Sequence, residues 1–202
     1  MLIALDQPLS APSKPQGPVK LFFSVFPDSQ TAARIGRLAR HLRREYGLRG
    51  QPLLTPRLHC TLCDIDDGNA AWRSIVAKAQ EAAANATSPP FRVSLNGVMS
   101  FAGKKDHYPL VLVGDDGVVG LTRLYFSLYA AMRRVGLRPR EPSDFNPHVT
   151  MLYDRRRIGE RSVEPICWIV NEIVLVLSLS GRTKYHSLGR WQLCSNPLGP
   201  GG

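Results

Sequence analysis

Between residues 19 and 193 the chain runs through short blocks whose apolar positions recur every two, or every three to four, residues. Val19 to Phe26 is a run of strand formers halted by Pro27. Asp28 or Ser29 then caps a helix on which Ile35, Leu38, Leu42 and Tyr46 share one face, and Gly47 closes it. A short strand is expected around Arg57 to Asp64. It is followed by a helix over about Ala70 to Ala84 with Trp72, Ile75, Val76 and Ala79 inward. Phe91 to Ser100 alternates as a half-buried strand, and Pro109 to Val113 forms another before the turn at residues 114–117. Val118, Leu121, Tyr125, Leu128, Met132 and Val135 mark a long amphipathic helix ending at Gly136. Pro147 to Tyr153, Val170 to Ser180 and Lys184 to Leu193 read as strands, the last two a hairpin through Gly181.

The order is β-α-β-α, β-β-α-β, β-β, without the strict alternation of a doubly wound sheet. It predicts an α+β fold of mainly antiparallel sheets with helices on one side. Residues 1–17 and 196–202 are rich in Pro and Gly and read as flexible tails around a single domain, 18–195. The two middle stretches form a rough internal repeat, each ending in a strand that bears the same tripeptide.

That tripeptide is His-x-Thr, present as His59-Cys60-Thr61 and as His148-Val149-Thr150. Side chains alternate along a strand, so each His and Thr share a face while Cys60 and Val149 point to the other. Two imidazoles that titrate near neutrality can hold complementary protonation states, one accepting a proton and one donating it. Threonine hydroxyls can donate to the oxygens on which charge builds when a phosphodiester is opened in line. Such a scheme needs neither metal nor other cofactor.

Charge points to the same chemistry. The 202 residues carry a net charge of +10, and of the 26 cations 20 are Arg and 6 Lys. Guanidinium groups bind phosphate bidentately, although a GC-rich genome explains an Arg bias equally well. Arg34, Arg37, Arg40, His41 and Arg44 stripe the first helix, either as a solvated face or as an RNA contact. An apolar share of 44% excludes wholesale disorder, and no apolar run reaches the ~18 residues of a membrane span. Four irregularly spaced cysteines and the lack of a basic leader suggest a cytoplasmic protein. We expect a monomer.

The segments LFFSVFPD, RLHCTL (57–62), NPHVTM (146–151) and YHSLGRWQL (185–193) carry a resemblance to a known family. The chain resembles the 2H phosphoesterase superfamily, in particular its bacterial 2′-5′ RNA ligase / RNA 2′,3′-cyclic phosphodiesterase branch. The resemblance implies a two-lobed, pseudo-twofold fold with helices packed outside and a central cleft to which each lobe gives one motif. It implies hydrolysis of 2′,3′-cyclic phosphate ends to 2′-phosphates, with reversible 2′-5′ ligation of RNA. It assigns His59 as proton donor, His148 as proton acceptor, and Thr61 and Thr150 as phosphate contacts. Many relatives carry Arg three residues after the second Thr, where this chain has Tyr153. Tyr153, Arg155 and Tyr185 are accordingly candidate substrate contacts. The expected partner is RNA with 2′,3′-cyclic phosphate ends. The rivals are a small cyclic phosphate such as ADP-ribose 1″,2″-cyclic phosphate, or a non-catalytic RNA-binding module.

Other signals read as structural. Cys60 and Cys63 form a C-x-x-C, but residues three apart on a strand face opposite ways, so buried free thiols are expected. Gly103-Lys104-Lys105 lacks P-loop spacing. His41, His107 and His186 are assigned to structural or surface roles.

Overall fold

A computed structural model describes residues 19–65, 72–139, 145–179 and 185–194. The expected tails, the turn through Gly181 and the start of the second helix at Ala70 lie outside the described residues. The elements are β1 (Val19–Val25), α1 (Ser29–Glu45), β2 (Cys60–Ile65), α2 (Trp72–Asn85), β3 (Phe91–Ser100) and β4 (Tyr108–Val113). They continue with α3 (Val119–Arg134), β5 (His148–Asp154), β6 (Arg161–Val170), β7 (Glu172–Leu179) and β8 (Tyr185–Gln192). One-turn 3₁₀ helices precede β2 (Thr55–Arg57) and α3 (Asp116–Val118). Asp28 caps α1 by accepting from Thr31 N–H at 2.9 Å and Thr31 Oγ1 at 2.7 Å. Gly47 ends the helix at φ 59°, a conformation that costs glycine nothing.

The eight strands form one antiparallel sheet in the order β6-β3-β4-β5-β2-β1-β7-β8. Read outward from the centre, each half repeats the same plan, with the two His-x-Thr strands innermost. The two halves join at their seam through Cys60 opposite Val149, so the expected mainly antiparallel fold is built on one continuous sheet. Helices cover one face. Leu21, Phe23, Val25, Cys60, Leu62, Val149 and Met151 pack on that side with Ile35, Leu42, Leu121 and Leu128 from α1 and α3. Two helices also reach across the seam: α1 packs on β5 and β6 of the second half, and α3 packs on β2 of the first as well as on β3 of its own.

One strand, β6, is missing from the expected order. It lies on the sheet edge, beside β3 only, and carries Pro165 and Glu164 among its inward Ile166, Trp168 and Val170. Proline is tolerated on an edge, where a lost N–H breaks no ladder bond. The strand expected from Val170 is two elements, for Val170 ends β6 and Glu172 begins β7.

Each His-x-Thr strand carries a bulge directly after its threonine. In β2 the register passes from Thr61 opposite Ser24 to Cys63 opposite Phe23, leaving Leu62 unpaired. In β5 it passes from Thr150 opposite Val111 to Leu152 opposite Leu110, leaving Met151 unpaired. A bulge resets the alternation of faces. Leu62 and Cys63, like Met151 and Leu152, are consecutive and both buried in the helix-side core. This corrects the expectation that Cys60 and Cys63 face opposite ways. Both thiols are free and sit in one core, where burial pushes each up to about 12.

Candidate active site

The face of the sheet away from the helices carries the two motifs. Cys60 opposite Val149 is the middle residue of one tripeptide against the middle residue of the other. In an antiparallel pair this register sets His59 across from Thr150, and His148 across from Thr61. Both histidines and both threonines are half-buried, as groups lining a cleft should be.

Each imidazole is held in the same way. His59 Nδ1–H donates to the carbonyl of Arg57 at 2.7 Å, and His148 Nδ1–H donates to the carbonyl of Asn146 at 2.7 Å. A carbonyl only accepts, so the neutral rings carry their proton on Nδ1 and leave Nε2 free as a base. Rings fix the remaining freedom. Phe22 stacks on His59 at 5.3 Å, Phe26 tilts against it at 5.7 Å, and Tyr185 meets it edge-on at 5.3 Å. Phe101 meets His148 edge-on at 4.9 Å.

Burial among these rings pushes both imidazoles below the ordinary histidine value, against the opposing pull of the Nδ1–H bonds. His59 is further lowered by the charges of His148 and Arg57. The two histidines are thus close enough for the proton on one to oppose a proton on the other.

The bulge after Thr150 returns Tyr153 to the cleft face, where it hydrogen-bonds with Thr150. Its ring stacks on His107 at 4.4 Å and 3°. Tyr185 lies across the cleft with the Arg57 guanidinium over its ring at 5.0 Å and Arg57 Nη2 donating to its hydroxyl at 3.4 Å. Burial pushes the Tyr153 phenol up, Tyr185 adds to the rise, and Arg57 opposes it. The structure therefore brings together His59, His148, Thr61, Thr150, Tyr153 and Tyr185.

Arg155 is placed differently. It is exposed in the bend after β5, and its backbone N–H turns to Asp154. Arg156 Nη1 donates to the Tyr46 carbonyl at 3.0 Å, and Arg157 lies over the Tyr108 ring at 5.5 Å. The Arg34, Arg37, Arg40 and Arg44 stripe is exposed on α1, with the sheet between it and the histidines. Arg57 is a cation beside His59, and neither it nor Phe22 and Phe26 was expected at the site, while His107, expected in a structural or surface role, is exposed and stacks on Tyr153. The signal for Arg57 was its place two residues before His59, on the cleft side of the same motif.

Asp154 braces this wall from behind. It is buried, and its carboxylate accepts from the N–H groups of Arg49 and Gly50 at 2.6 Å each and of Arg156 at 2.8 Å. The Gly50 backbone presses so close that a Cβ there would stand 1.8 Å from the Tyr153 carbonyl oxygen. Only glycine fits against the strand that carries Tyr153. Among the described residues, no three His, Cys, Asp or Glu side chains converge as a metal site would require.

The model of the 2′-5′ RNA ligase superfamily matches residues 26–182. The chain belongs to that superfamily. Its members are 2H phosphoesterases, so this is a protein of the phosphodiesterase class. No curated protein matches the chain by sequence. Among solved structures, apo Escherichia coli LigT is 25% identical with a TM-score of 0.63, covering 87% of this chain and 98% of its own. LigT complexed with 3′-AMP is 24% identical with a TM-score of 0.61, over 88% and 99% of the two chains. A Thermus thermophilus protein is 21% identical with a TM-score of 0.66, over 87% and 98%. The superfamily member described here keeps this fold, with the antiparallel sheet and three helices expected from sequence. Among the described residues, no helix is long and apolar enough to cross a membrane.

Proposed function

We propose that this protein is a metal-independent RNA 2′,3′-cyclic phosphodiesterase. The observation that carries the reading is the pair of imidazoles, each locked through Nδ1–H with Nε2 free, each set across from the other motif's threonine. His148 Nε2 takes a proton from water as the water oxygen bonds to phosphorus. The P–O3′ bond breaks, His59 gives its proton to O3′, and a 2′-phosphate remains. Thr61 and Thr150 donate to the non-bridging oxygens as charge builds on them. Phosphate arriving beside Arg57 offsets the charge that depresses His59, which favours His59 as the proton donor. A 5′-hydroxyl in place of water would form a 2′-5′ linkage by the same steps, which supports a reversible ligase activity.

The test uses an oligoribonucleotide ending in a 2′,3′-cyclic phosphate, with the product phosphate located by phosphorus NMR. A 2′-phosphate is expected, and His59→Ala or His148→Ala should each lower kcat/KM by roughly 10²–10⁴-fold. Near-parental rates in both folded variants would refute the two-histidine mechanism. Turnover confined to ADP-ribose 1″,2″-cyclic phosphate would make the substrate a small cyclic phosphate. RNA binding without any turnover would make the protein a binding module.

A further inference from the structure

A cavity of about 460 Å³ opens on the first half of the sheet, on the same face as the histidines. Its floor is Val174 and Val176, and its walls include Phe26 and Tyr185. Phe22, Val174 and Val176 form a small apolar cluster of their own, with Phe26 and Tyr185 packed against it. The His59 ring touches Phe22, Phe26 and Tyr185, so one layer of aromatic rings separates the imidazole from the cavity.

The charges around the cavity describe its occupant. Two carboxylates, Asp28 and Glu172, line it against one guanidinium, Arg190. Asp28 is spent on Thr31, while Glu172 accepts from Arg190 at 2.5 Å and from Gln192 at 3.3 Å. No free cation among the lining residues is left to hold a phosphate. The apolar floor and aromatic walls suit a flat, uncharged group, and the volume lies within the roughly 300–1,000 Å³ of small-molecule sites. The Arg57 guanidinium over the Tyr185 ring steadies the wall between this space and the catalytic pair.

We propose that this cavity is a nucleobase subsite, seating the base of the nucleotide whose phosphate the histidines open. The inference rests on the cyclic phosphodiesterase reading and adds to it what the enzyme recognises beside the phosphate. A cyclic phosphate bearing a base should be a better substrate than ribose 2,3-cyclic phosphate, which has none. Base–aromatic stacking sets the expected preference at about tenfold or more in kcat/KM.

The experiment compares those two substrates in the wild type and in Ser187→Trp, which fills the cavity from its exposed rim. The preference for the base-bearing substrate should collapse toward one in the variant. An unchanged preference in a folded Ser187→Trp would overturn the subsite. Should the variant not fold, equal kcat/KM for the two substrates in the wild type would overturn it instead. If the wild type turns over neither substrate, the cyclic phosphodiesterase reading fails by itself. Calorimetric binding of a nucleoside 2′-phosphate against ribose 2-phosphate then decides the subsite, and equal affinities would sink it.

Discussion

The pH dependence of kcat/KM tests the histidine pair most directly. Catalysis needs one proton shared between His59 and His148, so the active form is the singly protonated pair. Burial among Phe22, Phe26, Tyr185 and Phe101 holds both imidazoles below their ordinary value of 6.5, despite the Nδ1–H bonds that pull the other way. The charge of His148 lowers His59 further, and the two apparent values belong to the pair rather than to either ring. Both limbs of the bell should therefore lie below pH 6.5, with the alkaline limb falling about tenfold per pH unit. Between pH 6.5 and 8.5 the rate should drop about a hundredfold, as measured in overlapping buffers on a cyclic mononucleotide whose phosphate does not titrate there. Arg57→Gln removes one charge that opposes protonation of His59, so its alkaline limb should move upward. A flat profile to pH 8.5, or a limb that moves downward in Arg57→Gln, would refute the reasoning.

Asp154→Ala strands the backbone N–H groups of Arg49, Gly50 and Arg156 behind the cleft, and an unfolding titration in urea should show a loss of about 3 kcal/mol. Burial alone would raise the Asp154 carboxyl, but the N–H groups of Arg156, Gly50 and Arg49 outweigh it and hold it below the usual aspartate range. Its stabilisation is thus complete above about pH 4 and fades as the pH falls through the lower folded value, so Asp154→Asn should flatten the acid limb of stability. Activity should persist in excess chelator; loss reversed by one divalent ion would move the protein to metal-dependent chemistry. Raising salt should increase KM for an oligonucleotide with a log–log slope of about 0.7 per phosphate contact and barely affect a cyclic mononucleotide. Arg155→Ala should lower that slope by one contact, and an unchanged slope would remove Arg155 from the RNA path.

The motifs were legible because their information is local: alternation along six or seven residues places His and Thr on one face without any knowledge of the partner strand. The three helices were legible for the same reason, since Ile35, Leu42, Leu121 and Leu128 mark their faces by period alone. What escaped depends on neighbours far along the chain. The burial of Cys63 beside Cys60 follows from a bulge that exists only because β2 pairs with β1. His107 stacks on Tyr153 because Pro109 pairs with Tyr153, and Arg57 matters because Tyr185, 128 residues away, meets it there. Strand β6 was hidden by Pro165 and Glu164, which an edge accepts and a central strand would reject.

The helices that reach across the seam tie the two halves together in spite of the repeated plan. Were the chain cut between β3 and β4, the first fragment would carry α1 without β5 and β6, the strands beneath it. The second would carry α3 without β2. Each fragment would expose the apolar stripe of a helix and the inner edge of a sheet, a combination that favours aggregation over independent folding. The seam at Cys60 and Val149, bridged by so little backbone, is thereby clamped by helices that reach over it from opposite sides.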